Sequence, residues 1–64
     1  MDVATLATLL QETAERHHPY EQSAPEHNWS DWYAAYLNAR LEGSSVGEAE
    51  KAAGVYMDGI LGTR

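Results

Sequence analysis

The sequence predicts an all-α protein, a small three-helix bundle with a long first connection and a tight glycine turn before the last helix. Three observations predict it. Apolar residues recur at three-and-four spacing in three separate stretches. Each stretch is bounded by residues that start or stop helices, namely Asp2, Pro19, Gly43 and Ser45. No stretch alternates with a period of two over a useful length, and no hairpin dipeptide separates apolar runs, so strands are not expected.

In the first stretch Asp2 is placed to cap a helix, and Val3, Leu6, Leu10, Thr13 and His17 fall on one face with Leu9 beside them. The helix is predicted over about 3–17, because Pro19 disfavours the α region for His18. His17 would then favour the negative C-terminal end of the helix dipole. The residues HPYEQSAPEHN, from His18 to Asn28, make a connection longer than the roughly two to eight residues usual between bundle helices. Tyr20 is expected to turn inward there as an anchor. A short helical turn starting at Pro19 is compatible with proline's fit to the first helical position.

The second helix is predicted over about 29–42, capped by Asn28 or Ser30, with Asp31 favoured by the positive end of the dipole. Trp29, Trp32, Tyr33, Tyr36, Leu37 and Leu41 form its stripe, and Gly43 supplies the left-handed residue that ends it. Ser45 and Glu48 then form a capping box, in which each side chain satisfies an orphan backbone donor. The third helix is predicted over about 46–61, with Val46, Ala49, Ala52, Ala53, Tyr56 and Ile60 inward. Gly47 and Gly54 weaken it by about 1 kcal/mol each relative to alanine. The position of Gly54 beside the alanines suggests close approach of a neighbouring helix, and the tail from Gly62 to Arg64 is expected to fray.

Sixty-four residues make one domain, 1–64, and a chain of this size buries only about 60% of the surface that its unfolded form exposes. There is no cysteine, which excludes disulfides and thiolate metal sites. Ten acidic residues against four basic ones give a net charge of −6, which disfavours nucleic acid and anionic membrane surfaces as partners. The run from Val3 to Leu10 is too short to span a bilayer and lacks the flanks of a signal peptide, so a cytoplasmic location is expected.

Four of the six aromatic residues lie in the eight-residue stretch from Trp29 to Tyr36. One buried ring contributes on the order of 4–6 kcal/mol of gross transfer energy, against a total stability of about 5–15 kcal/mol. Trp32, Tyr33, Tyr36 and Leu37 therefore read as core. An exposed Trp29 would instead suit a partner anchor. Histidines are the second feature: His17, His18 and His27 bracket the proline-bounded connection, near Glu21, Glu26 and Asp31, and zinc accepts such ligands. No named metal motif is present, and adjacent histidines on a helix point about 100° apart, so no metal or cofactor is assigned. Ser23, Ser30, Ser44 and Ser45 sit where serine serves turns and caps, outside any nucleophile motif, and three short helices can hardly enclose a catalytic pocket. No enzymatic activity is expected. Arg40 lies beside the aromatic stripe, placed to stack on a ring or to pair with Glu12 or Glu15.

The run from His17 to Ala53 resembles a family of short bacterial helical proteins with the pattern HH-x-x-Y-E-x-x-x-P-x-H-x-W-x-D-W-Y-A-x-Y, followed by a glycine turn and a glutamate/alanine-rich helix. The matching residues are His17, His18, Tyr20, Glu21, Pro25, His27, Trp29, Asp31, Trp32, Tyr33, Ala34 and Tyr36. Members stand alone or are appended to glyoxalase-like domains, and often carry the label bleomycin-resistance protein. Glyoxalase-type bleomycin-binding modules are β-rich and about twice this length, so the resemblance implies a helical fold and only the label of antibiotic resistance. It also implies that His17, Tyr20, Glu21, His27 and Asp31 converge on a polar site.

The expected function is therefore that of a small acidic helical binding or accessory module, engaging another protein or a second copy of itself through a surface at His17, Tyr20, Glu21, His27, Trp29 and Asp31. The alternative is a small-ligand or divalent-metal site formed by the connection and the start of the second helix.

Overall fold

The structure, a computed structural model, describes residues 2–61. It consists of three helices, α1 (Val3–Ser23), α2 (Trp29–Leu41) and α3 (Val46–Leu61), with no strand among the described residues. Glu12 of α1 meets Tyr36 and Arg40 of α2, while His17 and Tyr20 meet Trp32, so α1 and α2 run antiparallel. The α2 helix is the middle layer: it packs on both neighbours, and α1 scarcely touches α3. The expected fraying after Gly62 lies outside the described residues.

Local chemistry sets most of the helix ends. The Asp2 carboxylate accepts from the Thr5 backbone N–H at 2.7 Å. Ser45 and Glu48 make both bonds of their capping box, at 2.9 and 3.2 Å. Gly43 adopts a φ of 100°, a left-handed conformation that suits glycine, and the Gly43 and Ser44 N–H groups satisfy the last carbonyls of α2. Asn28 precedes α2 in extended conformation, but its side chain makes no capping bond.

The end of α1 differs from the sequence expectation. The helix does not stop at His17 but continues through Pro19 to Ser23, so His17 is an interior residue with no terminal dipole to favour it. A proline inside a helix removes one ladder bond and costs about 3 kcal/mol. What outweighs this is Tyr20, which the continued helix carries against the rings of His17, His27 and Trp32. The long connection consequently shrinks to 24–28, within the usual range for bundle helices.

The core is Trp32, Tyr36, Ala39, Ala49, Ala53 and Met57, with Tyr20, Tyr33, Ala35 and Leu61 packed around it. Trp32 and Tyr36 stack at 5.1 Å and 13°, and both are buried. Ala49, Ala53, Met57 and Leu61 form a ridge of four-residue period on α3 against which these rings lie. The inward face of α3 is thus rotated from the one expected. Met57 is fully buried, whereas Ala52, Tyr56 and Ile60 are exposed. Gly54 is not explained by helix approach, since a Cβ there would meet nothing within 4 Å.

Two polar residues of α1 are buried: Thr13 and His17. The Thr13 hydroxyl donates to the Leu9 carbonyl one turn back, at 2.7 Å, which allows its burial. Trp32 Nε1 is buried with no hydrogen-bond partner among the described residues, at a cost of about 1–3 kcal/mol that its ring contacts must exceed.

Candidate functional site

The proline-bounded connection folds back so that His27 reaches His17. Their Nε2 atoms lie 2.9 Å apart, and His27 Nδ1 lies 2.9 Å from the Pro25 carbonyl oxygen. A carbonyl only accepts, so His27 carries its proton on Nδ1 and offers the lone pair of Nε2 when neutral. His17 must then donate from its own Nε2. Three hydrogen-bonding choices are fixed in sequence by one acceptor.

Rings close around this pair. Measured from the His17 centroid, His27 and Trp32 lie at 5.2 Å, Tyr33 at 5.3 Å and Tyr20 at 6.2 Å. Tyr20 and His27 meet edge to face at 5.1 Å. The helical spacing of His17 and Tyr20 places both toward α2, and Trp32 and Tyr33 answer from the first full turn of α2. Burial in this setting lowers the pKa of His17, the Glu21 carboxylate partly opposing the shift and the nearby His27 and His18 adding to it. Burial, with the Asp58 carboxylate, raises that of Tyr20.

The six residues singled out from the sequence are therefore divided. His17, Tyr20 and His27 come together. Glu21 is exposed and acts on His17 through its charge. Trp29 is 61% exposed and touches only the edge of the cluster, through Tyr33 at 4.9 Å. Asp31 borders a shallow hollow of about 430 Å³ together with Glu26, His27, Met57, Ile60 and Leu61. Among the described residues, no three or more His, Asp or Glu side chains gather as a metal-ligand set.

A second polar constellation lies one and a half turns up α1. Glu12 Oε2 accepts from the Tyr36 hydroxyl at 2.6 Å and from Arg40 Nε at 2.8 Å, while Oε1 receives Arg40 Nη2 at 3.4 Å. Arg40 Nη1 donates to the Ser44 carbonyl at 2.8 Å, tying the glycine turn to α1. The bond from Arg40, then that from Tyr36, holds the Glu12 carboxyl below its ordinary pKa. Burial, then the bond to Glu12, pushes Tyr36 up to about 12. The Arg40–Glu12 pairing follows the sequence expectation, whereas the roles of Tyr36 and Ser44 do not appear in the spacing. With its guanidinium so occupied, Arg40 is a strut, and it closes a groove of about 420 Å³ lined by Thr5, Thr8, Leu9, Glu12 and Leu41.

Beyond that groove the first half of α1 is uncovered. Val3, Leu6 and Leu10 are 84%, 42% and 42% exposed, although they continue the face that buries Thr13 and His17. The cause is length. α1 has 21 residues and α2 has 13, so α1 outreaches its neighbour by about 12 Å at 1.5 Å per residue. No helix among the described residues is long and apolar enough to cross a membrane. Comparison with protein-family models, with curated proteins and with solved structures finds no match to this chain.

Proposed function

We propose that this protein is a small acidic helical binding module that works by self-association, through the uncovered apolar face in the first half of α1. The observation that carries the reading is the exposure of Val3, Leu6 and Leu10 on a face whose other end is core. Charge favours a second copy as the occupant. The chain carries −6 overall, yet residues 3–11 contain no charged side chain, so this is a surface on which two like-charged chains approach with little repulsion. A two-fold pairing of antiparallel α1 helices lays Leu6 and Leu10 of each copy against the same residues of the other, an arrangement that is complementary to itself by symmetry. The reading is non-enzymatic.

Sedimentation velocity over a wide concentration series tests it. Reversible dimer formation is expected for the wild type, and Leu6→Glu, which places a carboxylate at the centre of the pairing, should stay monomeric throughout. A wild type that is monomeric at every concentration overturns the reading, as does a Leu6→Glu variant that dimerises unchanged.

The alternative of a divalent-metal site at His17, Tyr20, Glu21 and His27 has less support. Two nitrogens on one tetrahedral zinc stand about 3.3 Å apart with both lone pairs toward the metal. Here an N–H of one ring is aimed at the other at 2.9 Å.

A further inference from the structure

We infer, resting on the α1 pairing proposed above, that the register of the two copies is fixed by a reciprocal ion pair, Asp2 of each copy with Arg16 of the other. Val3, Leu10 and His17 recur every seven residues along α1, as do Leu6, Thr13 and Tyr20, and they make the a and d positions of one heptad seam. The second half of that seam belongs to α2: Thr13 and His17 are buried, and His17 and Tyr20 meet Trp32. The first half, Val3, Leu6 and Leu10, stands open.

One flank of the seam carries the charges. Asp2, Leu9 and Arg16, again seven apart, are its g positions. A two-fold axis perpendicular to the plane of two antiparallel helices keeps each flank on its own side, so the g residues of one copy face those of the other in reversed order. Negative, apolar, positive then meets positive, apolar, negative. With Leu6 level with Leu10 of the other copy, Leu9 faces Leu9, and Asp2 and Arg16 differ by only about 3 Å in height along the axis at 1.5 Å per residue. The opposite flank, Ala7 and Ala14, is small and uncharged. A parallel pair sets g against e instead. Asp2 then stands opposite Ala7, and Arg16 reaches Glu21 only in the half where α2 occupies the seam.

Both partners are available for the pair. Asp2 accepts from the Thr5 N–H through Oδ1, which leaves Oδ2 for a cation. Arg16 is exposed and makes no salt bridge among the described residues, and Glu12, one turn back, is already engaged by Tyr36 and Arg40. Of the other described cations, Arg40 is held by that bond and Lys51 lies on α3. In a chain of net charge −6, Arg16 is thus the cation that borders the open face, and Asp2 is the carboxylate at its other end.

Exchange of charge between copies tests the register by sedimentation equilibrium at low salt. Arg16→Glu sets carboxylates against carboxylates at both ends of the pairing and should weaken it about tenfold, and Asp2→Lys, which sets cations against cations, should do the same. Mixed in equal amounts, these two variants regain both ion pairs and should form a heterodimer in preference to either homodimer. The chain has no cysteine, so nitroxide labels on Thr8→Cys or Glu15→Cys read the register without altering Asp2 or Arg16. Residues 8 and 15 are seven apart, and residue 8 is level with the two-fold axis. Labels at residue 15 should therefore stand about 21 Å further apart along the helix direction than labels at residue 8. Equal distances at the two positions overturn the register even if Asp2→Lys frays the start of the helix. So does a mixture of folded variants that associates no better than each alone. A wild type that stays monomeric removes the self-association itself, whereas an Arg16→Glu variant that dimerises as tightly as a dimeric wild type removes only the ion pair.

Discussion

The two halves of α1 invert the usual rule of burial. In the second half the inward side chains are Thr13 and His17, both polar and both buried. In the first half they are Val3, Leu6 and Leu10, all apolar and all exposed. Composition alone would assign the core to the wrong end. What decides the matter is which half has α2 beside it, and each buried polar group there finds a partner, in the Leu9 carbonyl or in His27. Burial in a chain this small is thus set by the reach of the neighbouring helix more than by the hydropathy of the residue.

The comparison is broken most severely by removing the surface that covers the second half. Trp32→Ala takes away the ring between α1 and α3, and should cost about 3–5 kcal/mol; thermal unfolding followed by circular dichroism is expected to show a chain largely unfolded at room temperature. Tyr36→Phe is milder. It deletes one hydroxyl that donates to a carboxylate from a fully buried ring, at a cost of about 1.5 kcal/mol, measurable by urea denaturation with an unchanged m-value. A gain is expected on the far side of the core, where Gly54→Ala adds a methyl into open space within a helix and should stabilise by about 0.5–1 kcal/mol in the same assay. The smallest effect belongs to the uncovered half. Leu6→Glu should change the stability of the isolated monomer by less than about 0.5 kcal/mol, measured at a dilution where the wild type is also monomeric. A loss of several kcal/mol there would mean that the first half of α1 is not uncovered at all, and the contrast between the halves would fall.

Much of this architecture was legible in the sequence because it is written in local chemistry. Asp2, Gly43 and the Ser45–Glu48 pair act within one helical turn of themselves, and they set three helix ends where the spacing put them. Pro19 misled because its cost is local while its compensation, the Tyr20 ring against Trp32, spans two helices. Met57 was missed for a related reason. The third helix is apolar over much of its circumference, with Val55, Tyr56 and Ile60 exposed, so its own sequence does not say which stripe turns inward; the Trp32–Tyr36 stack decides that. In the candidate site, the meeting of His17, Tyr20 and His27 was expected only through the family resemblance. The identity of the bond between them was not, since it depends on the Pro25 carbonyl and on a fold-back of the chain that no residue spacing encodes.

The placement of the two tryptophans has a practical consequence. Trp29 is 61% exposed and meets Tyr33 edge to face, whereas Trp32 is 2% exposed and lies flat on Tyr36. The chain therefore carries two optical gauges with separate readings. Aqueous iodide reaches the first and not the second, so the quenchable part of the emission follows the start of α2, and the protected, bluer part follows the integrity of the core. A change at the start of α2 and loss of the fold can be told apart in a single cuvette, with no label attached.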